Sequence, residues 1–196
     1  MAFEIEIKAH VDKDDVDRVK KAILELEGAK YLGSTSKFDI YWSKTEDGNP
    51  IFRTRQEITS DGANILVTAK PYKEKTIGGL ENNREYEFSI PISQWDDVLT
   101  FCSEAVKLQI CRIKFKKGFG YHVDMDGFSV HVELLDVKYL GWFIEMEICP
   151  KSLDGFDEEG AEAALRKILN LVGISKTAIE PLGYNKMLKK DGHDRG

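Results

Sequence analysis

The chain has 196 residues, of which 42% are hydrophobic and 32% charged, and a formal net charge of -6. That length suits one domain with a sizeable core. The acidic balance disfavours nucleic-acid binding through the whole surface, and no run of about 18 apolar residues offers a membrane span.

No secretory leader is visible before the first strand pattern. Three cysteines, Cys102, Cys111 and Cys149, are an odd number without CxxC spacing. They read as reduced core thiols of a cytoplasmic protein rather than as disulfides or zinc ligands.

The first stretch, Phe3-Glu4-Ile5-Glu6-Ile7-Lys8-Ala9, alternates strictly. In a strand this sets Glu4, Glu6 and Lys8 on one face and Ile5, Ile7 and Ala9 on the other, with same-face neighbours roughly 7 Å apart. Taken alone this is an amphipathic strand with one wet face. Repetition along the chain argues otherwise.

A helix is predicted over about 13–27, capped by Asp12, with Val16, Val19, Ile23, Leu24 and Leu26 as its apolar stripe and Gly28 as its stop. Strands follow near 30–43 and 51–55, the second placing Arg53 and Arg55 on one face, with a turn at 45–50 between them. After a loop at 60–62, the strand 64–70 carries Thr68 and Lys70 on a shared face. The polar stretch 71–82 is expected to be a mobile loop. The strand 84–90 repeats the Glu-x-Glu device at Glu85 and Glu87, and its apolar face, Tyr86, Phe88 and Ile90, is expected to pack against helices.

Ser93 is the expected cap of a helix over 94–104. A strand over 110–116 aligns Arg112, Lys114 and Lys116. Two more, 121–124 and 128–137, are joined by a tight turn at Met125-Asp126-Gly127. After the break at Gly141, Phe143 to Ile148 sets Glu145 and Glu147 opposite Ile144, Met146 and Ile148. Helices are expected over 158–172 and 184–190.

This order of elements means α+β with a mainly antiparallel sheet. Eight or nine strands are enough for a closed or nearly closed β-barrel with helices packed outside, which would leave no exposed edge. The expectation is a single domain over 1–190 and a disordered tail over 191–196. In such a barrel the inward residues are Glu4, Glu6, Lys8, Arg53, Arg55, Lys70, Glu85, Glu87, Arg112, Lys114, Glu145 and Glu147.

Carboxylate oxygens suit hard Mg2+ or Mn2+. Forked guanidinium groups at Arg53, Arg55 and Arg112 suit phosphate, and Lys8, Lys70 and Lys114 act as point charges. No GxxxxGK, GxGxxG or HExxH pattern is present.

In this setting Glu4-Ile5-Glu6-Ile7-Lys8 resembles the ExExK signature of the CYTH family, the triphosphate tunnel metalloenzymes. Later stations are similar in order: Arg53-Thr54-Arg55, Thr68-Ala69-Lys70, Arg84-Glu85-Tyr86-Glu87, Arg112-Ile113-Lys114, and Asp136 to Glu147, which resembles a DxVxxLGxFxExE block. The match spans about 4–188. One departure is Arg112-x-Lys114 where many members have KxR, which keeps the charge but moves the forked donor.

The resemblance implies an eight-stranded antiparallel tunnel that binds a triphosphate with Mg2+ or Mn2+. Family activities include class IV adenylyl cyclases, thiamine triphosphatases and inorganic triphosphatases. The implied metal ligands are Glu4, Glu6, Asp136, Glu145 and Glu147. The implied phosphate ligands are Lys8, Arg53, Arg55, Lys70, Arg84, Arg112 and Lys114, and the catalytic set is Lys8, Glu85 and Glu87. Alternation over 130–136 puts Val132 and Leu134 on Asp136's face, so either the strand is bulged near Leu135 or Asp136 lies at the tunnel mouth.

The expected activity is metal-dependent hydrolysis of tripolyphosphate or of an organic triphosphate such as thiamine triphosphate. The alternatives are cyclisation of ATP to cyclic AMP and non-catalytic polyphosphate binding. A small-molecule triphosphate is the expected partner, with neither nucleic acid nor membrane, and the protein is expected to be a monomer or homodimer.

Overall fold

Eight strands dominate the computed structural model, which describes residues 2–73, 81–152, 154–190 and 192–193, with the backbone alone at 2, 70–73 and 81–85. They are β1 (Ala2–Val11), β2 (Lys30–Ser43), β3 (Phe52–Thr59), β4 (Gly62–Lys73), β5 (Glu81–Pro91), β6 (Gln109–Met125), β7 (Phe128–Val137) and β8 (Gly141–Ile148). Four α-helices accompany them: α1 (Val16–Leu24), α2 (Trp95–Thr100), α3 (Glu158–Leu171) and α4 (Tyr184–Lys190). The fold is α+β, with one antiparallel sheet in the order β1-β5-β4-β3-β2-β6-β7-β8. β1 also ladders with β8, through rungs that include Glu6 with Glu147 and Lys8 with Glu145.

The period-two pattern decides which face each side chain takes. Ile5, Ile7 and Ala9 of β1 are buried together with Val130, Val132 and Leu134 of β7 and Ile144 and Met146 of β8. Against them lie Val19 and Ile23 of α1 and Ala161, Ala164, Leu165 and Ile168 of α3. Full burial of each large aliphatic chain contributes roughly 1.5–3 kcal/mol, so this layer fixes the wall that carries Glu4, Glu6, Lys8, Glu145 and Glu147 on its other side. A second cluster seats α2 on Ile40 and Trp42 of β2 through Trp95, Val98 and Leu99. A third joins Leu135, Val137 and Phe143 to Tyr184 and Met187 of α4.

Several expected boundaries move. A 3-10 turn over Lys13–Asp15 precedes α1, and Asp12 makes no side-chain cap bond. The helix ends at Leu24 rather than near 27. Ser93 lies inside a 3-10 turn, Ile92–Gln94, instead of capping a helix, and α2 passes into a π-helical turn over Phe101–Ala105.

The strands expected at 110–116 and 121–124 are one continuous β6. Its Gly118 is no breaker: a Cβ there would sit 2.0 Å from the Leu134 carbonyl oxygen, so glycine permits the close approach of β7. The hairpin turn is as expected, with Asp126 and Gly127 both at positive φ.

Tyr86 and Phe88 were expected beneath helices but are 50% and 60% exposed; Phe88 and Ile90 line an open groove with Val98 and Phe101 instead of a packed helix interface. Residues 74–80, the middle of the expected loop, lie outside the described residues. Of the expected tail, Gly192 and His193 are described, and the His193 ring stacks on Tyr139.

Candidate active site

The face of the sheet turned away from α1 and α3 is charged and largely withdrawn from solvent. Lys8, Lys37, Asp39, Arg55, Arg112, Lys114, Lys116 and Glu133 are all buried on it. Rungs bring them together: Asp39 of β2 faces Arg55 of β3 and Lys114 of β6, and Tyr41 faces Arg53 and Arg112. On the adjoining strands Glu133 faces Glu145, and His131 faces Glu147. The expected phosphate ligands Lys8, Arg53, Arg55, Arg112 and Lys114 therefore share one interior. Lys70, Arg84 and Glu85 fall among residues whose side chains are not described.

Asp39, with no solvent exposure, holds the cationic group. Arg55 donates to it through Nε at 2.6 Å and through a terminal nitrogen at 3.1 Å. Lys114 Nζ lies 3.1 Å away and Arg53 4.0 Å away. Burial alone would raise this carboxyl, but Arg55, Lys114 and Arg53 hold it well below 3.8.

Arg53 also donates to the Thr68 hydroxyl, which in turn donates to Glu87 at 2.7 Å. The Nε–H groups of Arg53 and Arg112 are buried without an acceptor among the described residues. Unmet donors of this kind are costly, and they face the same interior.

Two further cations are tied to acids. Lys37 donates to both oxygens of Glu133 at 2.5 and 2.7 Å and lies 3.2 Å from Glu57. Lys116 donates to Glu145 at 2.7 Å. Burial opposes ionisation of Glu145, but Lys116 outweighs it and brings the carboxyl down to about 2. Tyr184 of α4 closes one end of the row, its ring within 5.1–5.8 Å of Lys8, Lys114 and Lys116.

The carboxylates of β1 and β8 form the opposite pole. Burial, with Glu4 and then Glu6 beside it, pushes Glu147 up to about 7. An acidic group raised by its own kind is what a cation would relieve. A carboxylate oxygen of Glu4, one of Glu147 and Sγ of Cys149 all lie within 4.8 Å of one another. These residues fit a divalent metal. Glu145, also expected as a ligand, is instead engaged with Lys116.

Asp136 requires correction. The ladders of β7 run without a register shift, so no bulge turns Asp136 inward. It stands with Val132 and Leu134 on the helix-facing side, with Lys117 and Trp142 as rung partners. Counting back two from Val137, the acidic position of the DxVxxLGxFxExE pattern is filled by Leu135, which is fully buried beside Phe143 and Tyr184.

Cys102 and Cys111 are buried as expected, and burial pushes both thiols up, but Cys149 is exposed. Sequence reasoning missed Lys37, Asp39 and Glu133 as site residues, and Lys116 was aligned but not assigned. The signal was present in Lys37-x-Asp39-x-Tyr41, polar at every second position between Phe38, Ile40 and Trp42.

No protein-family model matches the sequence, and no curated protein matches it. Solved structures do share the fold. The PH1819 protein of Pyrococcus horikoshii superposes with a TM-score of 0.72 at 19% identity, over 96% of this chain and 99% of its own. HpAC1 of Hippeastrum, named as an adenylyl cyclase candidate with a dominant triphosphatase activity, gives 0.64 at 13% identity, over 98% and 96%. A chain from the Schizosaccharomyces pombe Mediator head module gives 0.57 at 12% identity, over 87% and 94%. At these identities the likeness is one of fold, and function has to be argued from the site.

Proposed function

We propose that this chain is a CYTH-type triphosphate tunnel enzyme, a metal-dependent hydrolase of tripolyphosphate or of an organic triphosphate such as thiamine triphosphate. The observation that carries this reading is the convergence of Lys8, Arg53, Arg55, Arg112, Lys114 and Lys116 on one interior, beside Glu4, Glu6 and Glu147. A closed tunnel is supported by the pairing of β1 with both β5 and β8, which leaves that strand no free edge.

Phosphoryl transfer asks chiefly for positioning and for charge stabilisation. Arg53 and Arg112, each with a buried Nε–H to spare, grip phosphate oxygens, while Asp39 holds Arg55 and Lys114 in place. Lys8 lies between the cationic group and the acidic pole, with Glu145 as its rung partner. Glu4 and Glu147, with Glu6 beside them, would hold Mg2+ or Mn2+, which supplies Lewis-acid stabilisation of the phosphoryl oxygens.

A cyclase reading is favoured by the name of the Hippeastrum neighbour, whose triphosphatase activity nevertheless dominates. The test is turnover of tripolyphosphate, thiamine triphosphate and ATP with Mg2+ or Mn2+, scoring orthophosphate, pyrophosphate and cyclic AMP. Orthophosphate from the first two supports hydrolysis, and cyclic AMP from ATP promotes the cyclase. Tight binding without turnover would leave a polyphosphate-binding module.

A further inference from the structure

We infer that Cys149 is a third donor to the metal centre, making it a mixed oxygen and sulfur site that takes borderline and soft divalent cations such as Co2+ and Cd2+ more tightly than an all-carboxylate site would. This rests on the metal-dependent reading above. It adds a residue that the sequence signature does not contain.

The geometry is specific. In the β1–β8 ladder Ile5 faces Ile148, and continuing one rung brings Glu4 opposite Cys149. Cys149 stands two positions after Glu147, just past the end of β8. The three donor atoms lie within 4.8 Å of one another, which suits ligands sharing one cation with metal–oxygen and metal–sulfur bonds of about 2.0–2.3 Å. Glu4 and Glu6 crowd Glu147 on one side, and His131 faces it across the β7–β8 ladder. Cys149 is also exposed where the other two thiols are buried, so a cation and water can reach it.

On binding, the thiol gives its proton to solvent and the sulfur lone pair forms the bond to the metal. No electron is transferred. Thiolate ligands discriminate strongly between cations: they favour soft and borderline ions, whereas Mg2+ gains little from them.

The test is Co2+ titration of the full chain, followed by absorption in the thiolate-to-metal charge-transfer region, with Cd2+ and Mn2+ affinities measured by calorimetry for the wild type, Cys149→Ser and Glu4→Gln. The expected result is a charge-transfer band in the wild type that is lost in Cys149→Ser, with the preference for Cd2+ over Mn2+ falling about tenfold or more. Glu4→Gln should weaken both ions. Cation binding without the band, or an unchanged preference in Cys149→Ser, overturns the assignment of Cys149 while leaving a carboxylate metal site standing. Failure of all three cations to bind the wild type overturns both this inference and the metal-dependent reading.

Discussion

Asp39 offers the sharpest test of whether the charged interior is built to hold its cations in place. Asp39→Ala removes a carboxylate with no solvent exposure, leaving Arg55 without the acceptor at 2.6 Å and Lys114 without its partner at 3.1 Å. Deleting one partner of a buried ion pair costs about 3–5 kcal/mol, because the remaining charge is left uncompensated. For a chain of this size each kcal/mol lowers Tm by about 2–4 °C, so the variant should melt about 6–20 °C below the wild type.

The sign with pH follows from the depressed carboxyl. Asp39 contributes stability that is fully present above the unfolded value near 3.9 and is lost only as pH falls through its lower folded value. The stability gap between wild type and Asp39→Asn should therefore persist from neutral pH down to about 4 and close below it. Scanning calorimetry across pH, paired with tripolyphosphate calorimetry, reads both effects. A Tm within about 2 °C of the wild type, together with unchanged tripolyphosphate affinity, would refute the view that Asp39 positions Arg55 and Lys114.

Glu147, pushed up to about 7, binds a proton more readily in the folded state than in the unfolded one. The metal-free protein should therefore lose stability as pH rises from about 4.5 through 7, by about 3 kcal/mol or less, and Mn2+ should restore it; calorimetry with and without the ion checks this, and a flat profile would contradict the crowding at Glu147. Glu4→Gln and Glu147→Gln should each abolish metal-dependent turnover while leaving the circular dichroism spectrum unchanged, since a ligand is lost without a change of shape. Full activity in either variant would remove that residue from the metal site. Arg53→Ala should raise KM for tripolyphosphate about tenfold or more, the loss of a charge-assisted bond of about 1.5–3 kcal/mol, and unaltered kinetics would take Arg53 out of the grip.

What could be read in advance was whatever depends on alternation. Glu4, Glu6 and Lys8, the pair Arg53 and Arg55, and the trio Arg112, Lys114 and Lys116 share a face because the period of a strand is two, and no tertiary context changes that. Asp136 shows the cost of reading a motif against the period: it follows Val132 and Leu134 by even steps, and in an unbulged strand it must lie on their side.

The pairing of Lys37 with Glu133 was invisible for a different reason. Alternation can place each on a polar face, but their bond across 96 positions depends on β6 lying between β2 and β7, which is topology rather than pattern. The exposure of Tyr86 and Phe88 was equally out of reach, because which strand faces the helices cover is set by tertiary packing and not by the pattern within one strand. Cys149 belongs with these, since its exposure follows from lying just past the end of β8.

The pairings leave a particular imbalance, and it suggests how the two poles act together. Arg55 and Lys114 share Asp39, Lys37 is paired with Glu133 and Lys116 with Glu145, all within 3.1 Å, so three acids offset part of the interior positive charge. Among the described residues, the Nε donors of Arg53 and Arg112 lack an acceptor at one pole, and at the other Glu4 and Glu6 repel the Glu147 carboxylate. An anion alone would satisfy the first and repel the second. A cation alone would do the reverse. A triphosphate carrying a divalent metal satisfies both, so each component should strengthen binding of the other.

Linkage requires the two enhancements to be equal, and couplings of this kind are about 1–3 kcal/mol, or roughly 5–150-fold. Tripolyphosphate affinity measured with and without Mn2+, and Mn2+ affinity with and without tripolyphosphate, should change by the same factor, and Glu147→Gln should shrink it. Additive binding of the two ligands in the wild type would mean that the poles act on separate ligands, and the single-site account would fail.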